Sequence, residues 1–157
     1  LRLKSALNRG GTVEYIYMTN VVADGVQNVL AADLNWNPSY SYSELPAEYE
    51  GKEVPEHWNV MLQKVEPVEK GYPHFNHVYL ANVKATNAKQ FISASGWDDS
   101  LTLNDFTLYN LDVEAEKAGI VAHTKKFRLT DIKLKISDNS QIEFNKNSQL
   151  KKNIRYE

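Results

Sequence analysis

The sequence predicts an all-β fold, a solenoid of the parallel β-helix class. Two observations carry that expectation: a strand-like alternation recurs in four segments, and each segment holds an Asn or Asp at the same place. The segments are residues 15–23, 77–85, 105–113 and 126–134. In each, apolar residues occupy the second, fourth and seventh positions, as Ile16, Met18 and Val21 do in the first and Phe106, Leu108 and Leu111 in the third. Alternate side chains of a strand point to opposite faces, so the pattern buries one face and leaves the other wet. The sixth position is Asn20, Asn82, Asn110 or Asp131, which interrupts the alternation. Asx side chains bond nearby backbone groups and tolerate left-handed φ, so these four residues are expected to stack at a turn.

The anchors are separated by 62, 28 and 21 residues. Coils of about 20–30 residues with short strands suit a β-helix. Between anchors a second apolar run recurs at 29–32, 91–94, 120–122 and 142–144, so each coil supplies at least two strands. An antiparallel sandwich also shows short alternating strands, but it does not require one residue type at one place in four units. The long first separation implies an insertion at about residues 36–73, marked by Pro38, Pro46, Pro55, Gly71 and Pro73. Its aromatics include Trp36, Tyr40, Tyr42, Tyr49, Trp58 and Tyr72. Such rings serve either as platforms for the apolar faces of sugars or as a small core that folds the loop onto the solenoid, and both roles can be divided among them.

Composition narrows the classes. A chain of 157 residues is of single-domain size, and 18 Lys and Arg against 20 Asp and Glu leave a formal charge of -2, which speaks against a nucleic-acid partner. No apolar run is long enough to span a membrane as a helix. The absence of cysteine excludes disulfides, a Cys-ligated zinc site and a thiol nucleophile, without fixing the compartment. The chain opens Leu1-Arg2-Leu3-Lys4 without an initiator Met and closes in a polar stretch, about 145–157. The expectation is therefore a chain cut at its beginning and complete at its end.

Arg2-Leu3-Lys4-Ser5, followed by Asn8-Arg9-Gly10-Gly11-Thr12-Val13-Glu14-Tyr15-Ile16, resembles the late part of the polygalacturonases, glycoside hydrolase family 28. That family has an Arg-Ile-Lys motif and, in many bacterial members, an Arg-Gly-Gly-x-Val-Glu-x-Ile run opening the next coil. Leu3 replaces the Ile. The strand from Val29 to Trp36 and the turn 95–105, with its Gly96, are also similar to the family. The resemblance implies a right-handed parallel β-helix of which these are the C-terminal coils, in a secreted or periplasmic enzyme that hydrolyses pectic polysaccharide with inversion. It assigns substrate binding to Arg2 and Lys4, and it sets Trp36 where the family has a Tyr beside the cleft. A polyuronate carries one carboxylate per sugar, which a guanidinium grips bidentately while an ammonium adds point charge. Positions i and i+2 of a strand share a face, so Arg2 and Lys4 can act together.

Inverting hydrolysis needs two carboxyl groups about 6.5–9.5 Å apart. The family's Asp motifs precede Arg-Ile-Lys, so no catalytic residue is expected in this chain, and the fragment alone is expected to be inactive. Asp98-Asp99 lies some ninety residues later and reads as a solvated turn. Of His57, His74, His77 and His123, only His57, beside Trp58, is retained as a cleft candidate; with Tyr40, Tyr42 and Trp58 it completes the set. No metal or cofactor is expected. The expected partners are an acidic polysaccharide and, at the N-terminal end, either further coils of the same protein or a second copy. The rival reading is a non-catalytic β-helix that binds polysaccharide or serves a structural or adhesive role. An eliminating lyase would call for calcium-binding carboxylates, and the sequence shows no such cluster.

Overall fold

The repeated alternation becomes long strands laid side by side. The computed structural model describes residues 1–37 and 44–157. It contains β1 (Arg2–Lys4), β2 (Thr12–Asp24), β3 (Asn28–Asp33), a five-residue helix α1 (His57–Met61), β4 (His74–Ser95), β5 (Leu103–Ile136), β6 (Glu143–Ser148) and β7 (Lys151–Tyr156), with two 3-10 turns at Ala47–Tyr49 and Val68–Gly71. The protein is all-β with a parallel sheet. β1 pairs β3, β2 and β3 both pair β4, β4 pairs β5, and β5 pairs β6 and β7, all in the parallel sense. The expected insertion at about 36–73 forms no strand among its described residues.

The register lines up equivalent positions of the four segments. Ile16 pairs with Val78 and Val78 with Phe106; Met18 pairs with Leu80 and Leu80 with Leu108. The second half of β5 lies beside its own first half. Phe127 stacks on Phe106 with ring centroids 5.5 Å apart, and the Ser137 N–H donates to the Ala115 carbonyl at 3.0 Å. Each column therefore stays apolar along the stack, and Phe75, Phe91, Phe106, Phe127, Leu80, Leu108 and Leu129 are fully buried. Burying such a side chain contributes about 1.5–3 kcal/mol, so these columns are the main source of cohesion.

The polar stretch at 145–157 is not an irregular tail: β6 and β7 occupy most of it. Its side chains carry little hydrophobic signal, but its backbone extends the ladder. Ile154 pairs with Ile132, and Phe144 with Val121. A ladder recruits a polar strand when one or two side chains can close a column and the backbone groups would otherwise be left unpaired.

The corners of the strands are set by left-handed residues. Asn20, Asn82, Asn110 and Asp131 have φ of 59°, 54°, 54° and 55°. The first positions of the same segments, Tyr15, His77, Asp105 and Lys126, share that conformation at 56°, 52°, 57° and 56°. Each such residue costs roughly 1–2 kcal/mol unless its side chain compensates. At the Asn corner, Asn82 Nδ2 donates to Asn20 Oδ1 at 3.1 Å, and Asn110 Nδ2 donates to Asn82 Oδ1 at 2.8 Å. At the first position, Tyr15 stacks on His77 with centroids 4.9 Å apart, and His77 Nδ1 lies 2.8 Å from Asp105 Oδ2. Gly119 (φ 100°) marks a tighter constraint, since a Cβ there would enter the Ile92 carbonyl oxygen of the neighbouring strand.

Two expectations follow for stability. Asn82→Ala loses both amide contacts and keeps an unfavourable φ, so denaturant unfolding should show a loss of about 1–2 kcal/mol, most of which Asn82→Gly recovers. Gly119→Ala should cost about 2–4 kcal/mol in the same assay, because the methyl group meets backbone and not a yielding side chain.

Candidate ligand-binding site

β1 is three residues long, and pairing with β3 fixes it at both of its ends. Arg2, Leu3 and Lys4 pair with Ala31, Ala32 and Asp33 of β3. The Ala31 N–H donates to the Leu1 carbonyl at 2.9 Å, and the Ser5 N–H donates to the Asp33 carbonyl at 3.1 Å. Leu3 packs against the core while Arg2 and Lys4 are exposed, as alternation along a strand requires. After β3 the chain turns sharply. Asp33 Oδ1 accepts the Asn35 N–H at 2.8 Å, and the Trp36 N–H donates to the Ser5 carbonyl at 3.1 Å. These bonds bring the Trp36 ring back over the outer face of β1.

The result is a concavity of about 320 Å³ lined by Arg2, Leu3, Lys4, Gln27, Asn28, Ala31, Asp33, Trp36 and Ser93. Lys4 Nζ sits 4.0 Å from the centroid of the Trp36 ring, and the Arg2 guanidinium carbon lies 5.8 Å from it. Both distances are those of cation–π contacts, worth about 0.5–1 kcal/mol at exposed sites. Two cations face one carboxylate, Asp33, so the lining carries a formal charge of +1. Such a site can hold an anionic group and donate hydrogen bonds to it. With a single carboxylate, it cannot supply the acid and base of a two-carboxyl hydrolysis.

The structure thus brings Arg2, Lys4 and Trp36 together. The ring face of Trp36 toward β1 is occupied by the lysine ammonium. Tyr40 and Tyr42 lie outside the described residues. Trp58 and His57 are on α1, away from the concavity lining: their rings are 5.6 Å apart, and Trp58 also meets Tyr49 at 6.1 Å. At this end the insertion builds a small aromatic cluster of its own. Gln27, Asn28 and Ser93 were not singled out by sequence reasoning. The repeat held the signal for one of them, since continuing the register puts Ser93 next to Ala31 and so in the column of Arg2.

Other polar clusters are explained by structure alone. Asp98 Oδ1 accepts from the Ser100 N–H, the Ser100 hydroxyl and the Leu101 N–H at 2.6–2.9 Å, and the Ser100 hydroxyl bond leads the causes that lower its carboxyl below the usual value. Asp99 lies 3.0 Å from His123 Nδ1. On the outer sheet face Asp105 joins His77 and Arg128, whose Nη1 donates at 2.6 Å to Asp105 and at 3.3 Å to Thr107. The Arg128 bond, above all, holds the Asp105 carboxyl below the ordinary value of 3.8. No family model, curated protein or solved structure matches this chain.

The Asp105 network has a defined pH signature. Because the folded carboxyl titrates lower than the unfolded one, its stabilisation is fully present above about pH 4–5 and is lost as pH falls through the folded value. Asp105→Asn should therefore lower stability by about 1–2 kcal/mol at pH 7, measured by denaturant unfolding, and shrink the difference from wild type as pH drops toward 3.

Proposed function

We propose that the chain forms the C-terminal coils of a right-handed parallel β-helix, part of a polygalacturonase-like glycoside hydrolase of family 28 that acts on pectic polysaccharide outside the cytoplasm. The concavity on β1 is its uronate subsite. The observation that carries the reading is the convergence of Arg2, Lys4 and Trp36 on one side of a three-residue strand, at the positions the family motif assigns to substrate binding. The parallel register and the stacked left-handed corners support the β-helix architecture.

Within this reading the roles divide. Arg2 grips a sugar carboxylate with its planar fork, and Lys4 adds a positive charge that needs no fixed orientation. Trp36 holds the Lys4 ammonium against its ring, which removes part of the entropy cost of fixing a long side chain on binding. Asp33 keeps the two cations from leaving a large unbalanced charge in the absence of ligand. The carboxyl pair for hydrolysis belongs to preceding coils, and the N-terminal edge of the ladder is where those coils attach.

A second reading is favoured by one observation, the lone carboxylate in the concavity: a non-catalytic module that binds the same acidic polysaccharide. Both readings expect the 157-residue chain to release no reducing ends from polygalacturonate, and measurable release would refute the assignment. Titration calorimetry with oligogalacturonates should show Arg2→Ala and Lys4→Ala each weakening binding about 10-fold, in line with about 1.5 kcal/mol for a charged hydrogen bond. Binding that is unchanged, or equally strong for neutral galactose oligomers, would remove the uronate subsite. Trp36→Ala should weaken binding less than Lys4→Ala, with Trp36→Phe close to wild type. Joining the chain to coils that carry paired Asp motifs, with hydrolysis then appearing, would separate the enzyme from the binding module.

A further inference from the structure

A second part of the outer surface, away from β1, concentrates exposed rings. In the repeated segments the third and fifth positions alternate with the core-facing Ile16, Met18, Val78, Leu80, Phe106 and Leu108, so they point outward. Tyr17 pairs with Tyr79 and Tyr79 with Thr107, while Thr19 pairs with Ala81 and Ala81 with Tyr109. Arg128 stands in the next row, where its Nη1 reaches Asp105 and Thr107, and it pairs in turn with Lys151 of β7. The first positions Tyr15, His77, Asp105 and Lys126 flank these rows.

Tyr15, Tyr17 and Tyr109 are 60%, 69% and 43% exposed. Tyr15 lies flat on His77, with 8° between the ring planes, and the Tyr17 and Tyr79 centroids are 6.3 Å apart. Grouped rings left in water mark an interaction surface more than they serve the fold. The strip changes character along its length. Tyrosines dominate on β2 and β4, and the cations Lys126, Arg128 and Lys151 gather on the second half of β5 and on β7. Arg128 is matched by Asp105, but among the described residues no carboxylate lies within ion-pair distance of Lys126 or Lys151. The rows cross five strand positions, about 19 Å at the spacing of paired strands. The strip faces sideways from the ladder, so coils joined before β1 and β2 would lengthen it without covering it. It shares no residue with the concavity on β1.

We infer that this strip is a second glycan-binding surface, which holds an acidic polysaccharide across the strands outside the concavity. The inference extends the function proposed above, on which the choice of a polyuronate rests. Sugar rings lay their apolar faces on Tyr17, Tyr79 and Tyr109, whose hydroxyls bond sugar hydroxyls at small cost in side-chain entropy. Lys126 and Lys151 take the carboxylates as point charges that need no fixed orientation. A neutral glycan would use the ring end alone.

The Arg2→Ala/Lys4→Ala double variant tests this, because it disables the concavity and leaves the strip intact. In NMR spectra of that variant the ring signals of Tyr17, Tyr79 and Tyr109 should shift as oligogalacturonate is added, and calorimetry should detect the same binding. Adding Tyr17→Ala and Tyr109→Ala together should weaken it about 10-fold. Adding Lys151→Gln instead should weaken it about 3-fold and make it less sensitive to salt, and this exposed position carries the test should the tyrosine variants fail to fold. A wild type that binds while the double variant does not would overturn the strip and leave the concavity standing. A double variant that binds as tightly as wild type, with the tyrosine shifts, would uphold the strip and remove the subsite on β1. Strip substitutions without effect, cellulose oligomers bound as tightly as oligogalacturonate, or no binding by the wild type would each overturn the inference.

Discussion

Parallel pairing in strict register is the constraint on which the other features of this molecule depend. In such a ladder each backbone amide and carbonyl is satisfied by the strand one repeat away, so the backbone conformation adopted at one position is imposed on its neighbours in the stack. That explains why left-handed residues fall at matching places in β2, β4 and β5, and why they include types as unlike as Tyr15, His77, Asp105 and Lys126. The register demands the conformation; the side chain only has to make it tolerable. Asparagines do so by bonding to one another, and Tyr15, His77 and Asp105 do so through ring stacking and the His77–Asp105–Arg128 network.

The same constraint positions the candidate site. Arg2 and Lys4 are long, flexible side chains on a strand of three residues, and nothing in β1 alone would hold them. Pairing with β3 fixes their backbone, the turn after Asp33 returns Trp36 to the face they share, and the indole orients the ammonium. Its precision comes from backbone bonds to Ser5 and Asp33 and not from burial. It also means that the ladder and the site are not independent, since loosening β3 would disperse the cations.

Where a repeated apolar pattern set the structure, the sequence was legible. The four segments, their second apolar runs and the strandless character of the insertion could be read because side-chain alternation is a local signal of burial. The strand at 151–156 and the polar remainder of the one at 143–148 could not, since they are held by backbone pairing and carry few apolar residues to announce it. The left-handed first positions at Tyr15 and Lys126 were also hidden, because Tyr and Lys have no intrinsic preference that marks them. At the site, Arg2, Lys4 and Trp36 were singled out through a motif, which identifies the indole and says nothing of which of its faces is covered.

The sequence by itself determined the all-β class of fold, the apolar positions of the repeat, the Asx corners and the identity of the paired cations, all of which are written in local spacing and residue type. Only the tertiary structure decided that Ser93, Gln27 and Asn28 join those cations, that Lys4 occupies one face of Trp36, and that Lys152 is set beside Leu129 of a buried column. These depend on which residues, distant in sequence, are brought side by side, and that is set by the register of a ladder whose pairing energy resides in the backbone, where residue identity leaves almost no trace.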